Sequence, residues 1–285
     1  MSQTVPEGQL DELDTAEGVP VEGEAPDYGP VAEPGWFVKA RRNHLGLKVA
    51  PVGIIALAAL LYWYYQSLNL DASVNIQQAS SLEWSTKLWP QIQQHLWIAF
   101  WSTVLVVVIA IPLGIVLTRP ALRRWGPAIV TVANSGQALP AYGLLILFLA
   151  LLGQGARTVI IGLVVYALLP VLRNTMVGLD AVDRGVIEAG RGMGMTKMQV
   201  LGRIELPLAV PVIIAGVRVA MILNIGMATL AFLIGGGALG VTINSGLKLQ
   251  QDPVLIVGAS LVALVALTFD WVGALAETYL HPRGL

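Results

Sequence analysis

Six stretches of this chain are apolar over lengths that suit a membrane crossing: residues 49–65, 96–117, 128–152, 159–172, 208–234 and 254–275. A spanning helix needs roughly 20 largely apolar residues, and about 17 at the short end. The third run is interrupted by "NSGQALP", and the fourth is short but extendable at its N-terminal end. The pattern predicts an all-α polytopic membrane protein with about six transmembrane helices.

The polar positions between the runs give an orientation. Lys39, Arg41, Arg42 and Lys48 precede the first run, and Arg119, Arg123 and Arg124 follow the second. Arg173, Arg184, Arg191, Lys197 and Arg203 lie between the fourth and fifth, and Arg283 follows the sixth. The alternate loops hold only Lys87, Arg157 and Lys248. Basic loops mark the cytoplasmic side, so both termini are expected inside, as an even number of spans requires. Trp63, Tyr64, Tyr65, Trp84, Trp89, Trp97 and Trp101 cluster near one set of ends. They read as an interfacial belt in preference to a cage for a quaternary ammonium group. Trp125, Trp271 and Tyr279 fit the opposite belt.

Some polar residues fall inside the apolar runs. The third contains Asn134, Ser135, Gly136, Gln137 and Pro140. Such residues are tolerated at membrane depth when they face protein or a water-filled path. Asn134, Gln137 and Pro140 are therefore candidates for a pathway wall, with helix–helix packing by small residues as the alternative. Arg218 and Asn224, in the fifth run, are candidates of the same kind, although Arg218 could also snorkel to the interface. Asp270 lies near the end of the sixth.

Composition supports the membrane assignment: 55% of the 285 residues are hydrophobic and 12% are charged, against about 25% charged in soluble domains. The net charge of −1 conceals an asymmetry, because nine of the 18 acids precede Lys39, the first base. Residues 1–35 are acidic, rich in Pro and Gly and poor in large apolar side chains, which predicts a disordered cytoplasmic tail. It serves either a regulatory role or that of a solvated spacer. Residues 36–95 are expected to form a basic flank, the first span and an outer loop. Residues 96–280 are expected to form the main transmembrane domain, with a polar loop at 173–207.

No chemistry of catalysis is evident. There is no cysteine, hence no thiolate metal site and no cysteine nucleophile. His44, His95 and His281 are widely separated, form no metal or triad pattern, and are expected to be interfacial or solvated. "GGGALG", at 235–240, matches a dinucleotide fingerprint only formally: a membrane run precedes it where a strand is needed. A glycine turn capping the fifth span accounts for it. "GMGMTK" has the residues of a phosphate loop in the wrong order. No cofactor, metal or nucleic-acid partner is expected.

The segment "EAGRGMGMTKMQVLGRIELP", residues 188–207, breaks the apolar pattern with five charges, four glycines and a closing proline. Gly194 suits the left-handed turn that ends a helix. Thr196 followed by Gln199 is a capping-box pattern. Met198, Leu201 and Ile204 recur at three-residue spacing and predict one apolar stripe. Pro207 fits the first turn of a new helix. The segment thus predicts helix, glycine turn, short amphipathic helix and new membrane helix. A helix that short is marginal alone and needs a surface to dock against.

The spacing E-A-(A/G)-x3-G-x9-I-x-L-P resembles the cytoplasmic loop motif of binding-protein-dependent ABC importer permeases. Glu188, Ala189, Gly194, Ile204, Leu206 and Pro207 match it, and Gly190 stands where alanine is usual. The resemblance implies a type I permease fold in which this short helix is the coupling helix, seated in a groove of a separate ATPase subunit present in two copies. It also implies a second permease subunit, identical or paralogous, an extracytoplasmic substrate-binding protein, and a bacterial cell membrane location. In that reading Met198 and Leu201 supply apolar contact, while Ile204, Leu206 and Pro207 join the coupling helix to the fifth span. Glu188 either pairs with a base on the ATPase or anchors the loop internally. "ANSGQALPAYGLL", "YALLPVLRNTMVGL" and "VRVAMILNIGMATLAFLIGGGALG" resemble the osmoprotectant branch, whose members import glycine betaine, choline, carnitine or proline. Methionine-type permeases are the nearest alternative, and an ion-driven secondary transporter is a distant one.

Overall fold

The computed structural model describes residues 44–280, all of whose regular elements are helical. The acidic tail, Lys39, Arg41, Arg42, His281 and Arg283 lie outside the described residues. Five helices are long and apolar enough to cross a membrane, or six if one sharply bent pair counts as a single span.

Helix α1 (His44–Ser67) is tied to the rest near both ends. The Trp271 indole N–H donates to the Leu47 carbonyl at 3.0 Å, and the Tyr65 hydroxyl donates to the Leu82 carbonyl at 2.9 Å. The expected outer loop is largely helical. Asp71 caps α2 (Ala72–Ser81) by accepting from the Ser73 backbone N–H, a bond that holds its carboxyl below the usual carboxylate range. A wide turn at Trp84–Leu88 then leads into α3 (Trp89–Leu117), which begins seven residues before the apolar run that predicted it. Polar residues in that added part, Gln91, Gln94 and His95, bond within the protein, so apolar periodicity could not reveal them.

The third run is not one straight helix. Helices α4 (Gly126–Ala138) and α5 (Ala141–Leu152) meet at a bend of 98°. Leu139 is extended, as the residue before a proline prefers, and Pro140 has no N–H to continue the ladder. Helix α6 (Ala156–Asp180) runs on for eight residues beyond the apolar run, so Arg173 is helical and not in a loop.

Helix α7 (Arg184–Gly192) and α8 (Lys197–Val200) carry the polar segment. A wide turn at Leu201–Glu205 joins α8 to α9 (Leu206–Ala228), and a tight turn of helix continues to Ile234. Helix α10 (Gly240–Lys248) and α11 (Asp252–Tyr279) complete the chain.

Lipid tails are as apolar as leucine, so burial alone does not drive these helices together. Close approach at small residues does. A Cβ at Gly114 of α3 would lie 2.7 Å from the Thr175 side chain of α6, and one at Gly216 of α9 would lie 2.7 Å from Asn174 of α6. Helices α3, α6 and α9 thereby form the centre, filled by Ile98, Val106, Leu163, Ala167, Ala220 and Ala228.

Candidate coupling segment and membrane-embedded polar residues

Helix α7 starts at Asp183, whose carboxylate accepts from the Gly185 N–H at 2.6 Å. It ends in two backbone bonds, Met195 N–H to the Gly190 carbonyl and Gly194 N–H to the Arg191 carbonyl. Gly194 is left-handed, with φ 82°. That pair of bonds with a left-handed glycine is the Schellman stop, which satisfies carbonyls the helix end leaves free. Thr196 and Gln199 then form the expected reciprocal capping box, at 2.8 and 3.3 Å.

Two features depart from expectation. The short helix and the membrane helix are one unbroken rod, Lys197–Ile234. The Leu206 N–H reaches back to the Leu201 carbonyl, one residue further than in an α-helix. That widening falls just before Pro207, whose ring crowds the preceding turn, and it lets the rod continue through the proline. The stripe of Met198, Leu201 and Ile204 also does not form one face. Met198 is 75% exposed, Leu201 packs beside Leu179, Ala209 and Ile213, and Ile204 abuts Gly190. Three-residue spacing drifts around a helix of 3.6 residues per turn, and the wide turn rotates it further. Met193 is a second exposed apolar residue of the segment, 76% exposed and missed by the periodicity. Glu188 and Ala189 are exposed, and Gly190 is buried. Glu188 makes no ion pair among the described residues.

The family described as "Binding-protein-dependent transport system inner membrane component" matches residues 110–283. The chain belongs to this family. It is a permease subunit of an ABC importer, and the ion-driven alternative is left without support. The permease is 41% identical over 192 residues to the glycine betaine/carnitine/choline transport system permease protein OpuCB of Bacillus subtilis, covering 67% of this chain and 88% of that one. It is 43% identical over 192 residues to the choline transport system permease protein OpuBB of the same organism, again covering 67% and 88%. The osmoprotectant import permease protein OsmY of Salmonella typhimurium is 42% identical over 178 residues, covering 62% of this chain and 75% of OsmY. Among solved structures, an inward-facing MetNI methionine ABC transporter superposes with a TM-score of 0.61 at 22% identity, over 68% of this chain and 95% of that one. That likeness concerns the fold.

The polar residues within the spans divide by what holds them. The Gln137 side chain donates at 3.0 Å to the Tyr166 carbonyl. Tyr166 lies four residues before Pro170 of α6, so the missing proline N–H leaves that carbonyl free and Gln137 supplies the replacement donor. Asn224 is fully buried, with its amide 3.1 Å from Thr103 Oγ1 and 3.2 Å from the Leu163 carbonyl, linking α3, α6 and α9. Asn134 and Pro140 are exposed on the bent pair.

Arg218 is not alone. Its guanidinium makes a two-point pair with Asp270 of α11, at 2.7 and 2.9 Å, and reaches Glu277 at 3.4 Å. Two opposite charges on two apolar runs were the available signal, since intramembrane charges commonly pair with one another. His95, expected to be interfacial or solvated, is fully buried. Its Nε2 lies 3.0 Å from the Ile225 carbonyl, where α9 tightens and the Thr229 N–H turns to Gly226 and Met227 instead.

A second pair had no sequence signal. Glu205, the variable position inside I-x-L-P, is 5% exposed and pairs with Arg119 beyond the end of α3. At the other end of α3, Gln94 accepts from the Ala238 N–H at 3.2 Å, and Gln91 accepts from the Thr242 hydroxyl at 2.6 Å. These bonds fix the glycine turn at 235–240, where Gly235, Gly237 and Ala238 all have positive φ.

Proposed function

We propose that this permease carries a small osmoprotectant, such as glycine betaine, choline, carnitine or proline, across a bacterial cell membrane. The observation that carries the reading is the 41% identity, over 88% of its length, to a permease named for glycine betaine, carnitine and choline. Both termini lie in the cytoplasm. Two permease subunits, identical or paralogous, form the pathway. Two ATPase subunits grip residues 188–207 from inside. A substrate-binding protein docks outside, on the regions around residues 66–94 and 235–252.

Several geometric features support these roles. Met193 and Met198 offer flexible apolar side chains that are free to enter a groove. Exposed Glu188 is available to a base on the ATPase. The unbroken rod Lys197–Ile234 carries displacement of the coupling segment into the membrane. Asn134 and Pro140 are the pathway candidates that face outward from the chain, whereas Gln137, Asn224 and Arg218 maintain the walls from within. ATP binding by the partner then biases two packings, inward-open and outward-open.

The test is uptake of labelled glycine betaine at high salt, in a host lacking this chain and other betaine systems and in the complemented strain. Uptake restored by the chain supports the assignment, and competition by choline, carnitine and proline ranks the substrates. Equal uptake in both strains redirects the search to other small solutes such as methionine.

A further inference from the structure

The Glu205–Arg119 pair joins elements that the coupling motif itself does not join. Glu205 closes the wide turn at the head of α9, and its carboxylate accepts from Arg119 Nη2. The same guanidinium donates through Nε to the Ile115 carbonyl at 3.2 Å. That carbonyl belongs to the last turn of α3, where it also accepts from the Thr118 hydroxyl at 2.8 Å, and a cation is favoured there by the helix dipole. Arg119 therefore shares the cap of α3 with Thr118 and at the same time holds the coupling rod. Leu201 and Leu206 of the rod and Ile111 and Ile115 of α3 pack against one shared cluster, Leu179, Ala209 and Ile213. The Glu205 side chain is 6% exposed and that of Arg119 35%, so salt screens this partly buried pair less than an exposed one. Separating the partners would leave a carboxylate buried without compensation.

The far end of α3 is fastened as well, through Gln91 and Gln94 to the outer glycine turn and α10. A helix of 29 residues spans about 44 Å, enough to connect the two faces of a membrane. Resting on the reading of residues 188–207 as the ATPase-docked segment, we propose that Arg119 and Glu205 are positioning residues. They form a joint through which movement of the coupling segment drives α3 as well as α9, so that α3 acts as a strut between the ATPase side and the outer turn.

The test uses the full complex in proteoliposomes and reads uptake and ATP hydrolysis together. Arg119→Gln should capture the ATPase like the wild type and keep hydrolysis within about twofold. Its uptake per ATP should fall by about tenfold, a typical coupling factor between linked sites. The chain has no cysteine, so Arg119→Cys with Glu205→Cys can be bridged by a short bismaleimide, with cysteine-free partner subunits. Bridging should restore uptake per ATP towards the wild-type ratio. An unchanged ratio in Arg119→Gln overturns the joint, and so does a bridge that blocks uptake while hydrolysis continues. If Arg119→Gln fails to insert, the bridged pair decides alone. If the wild-type chain captures no ATPase, the underlying functional reading fails as well, and that failure is seen before any variant is made.

Discussion

Replacing Asp270 by Asn should destabilise the permease far more than replacing Glu277 by Gln, although both carboxylates belong to one arginine. Asp270 gives Arg218 two well-placed bonds, at 2.7 and 2.9 Å, whereas Glu277 gives one at 3.4 Å, near the limit of a hydrogen bond. The side chains are 29% exposed for Arg218, 36% for Asp270 and 39% for Glu277. Breaking a fully buried pair costs about 3–5 kcal/mol, and exposed pairs are worth about 0–1 kcal/mol. A two-point, partly buried pair lies between, so Asp270→Asn should cost about 2 kcal/mol, or roughly 30-fold in the folded-to-unfolded ratio. Glu277→Gln should cost at most about 0.5 kcal/mol. Gly273 contributes by its size: a Cβ there would lie 3.0 Å from Arg218 Cγ, so the arginine stem crosses α11 at that point. The assay is denaturant unfolding in detergent, followed by tryptophan fluorescence, with Trp271 beside the pair as reporter. Arg218→Met with Asp270→Leu and Glu277→Gln should be less harmful than Asp270→Asn, because no unpaired charge remains in the cluster. Equal losses for the two single variants would refute this account of the cluster.

Three further outcomes are expected. Gly194→Val should lower transport while leaving membrane insertion intact: nothing lies within 4 Å of a Cβ there, so the cost is the left-handed backbone at φ 82°, roughly 1–2 kcal/mol, and normal uptake would remove the role given to this turn. Gly240→Ala should prevent correct folding of the glycine turn, since its Cβ would run into the Thr229 backbone carbonyl, whereas Gly190→Ala, at 2.5 Å from the flexible end of the Ile204 side chain, should be tolerated at about 1 kcal/mol; expression and thermal stability of the two proteins check the contrast. Met198→Lys should leave stability unchanged but weaken ATPase capture by about tenfold or more, measurable by co-purification, because Met198 is 75% exposed.

Apolar run length revealed the spans because a bilayer imposes it, and the capping box and Gly194 stop were legible because their bonds are local. Other features were set by partners distant in sequence. The 98° bend was visible only as an interruption, since a proline marks a break but not its angle. The bond from Gln137 was not legible, because its acceptor, a carbonyl freed by Pro170, lies 29 positions away. Arg218 and Asp270 were each noticed but could not be matched without the packing of α9 on α11. Arg119 counted only as a basic loop residue and Glu205 only as a variable position. His95 looked interfacial because its partner, a carbonyl released where α9 tightens, lies 130 positions away.

The most direct test of the central claim is reconstitution of this chain with its ATPase and binding protein, followed by measurement of labelled glycine betaine uptake with and without ATP. Uptake should require ATP and should be lost when Met193 and Met198 are both replaced by lysine, with insertion intact. Uptake that proceeds without the ATPase, or survives that double replacement, would contradict that claim.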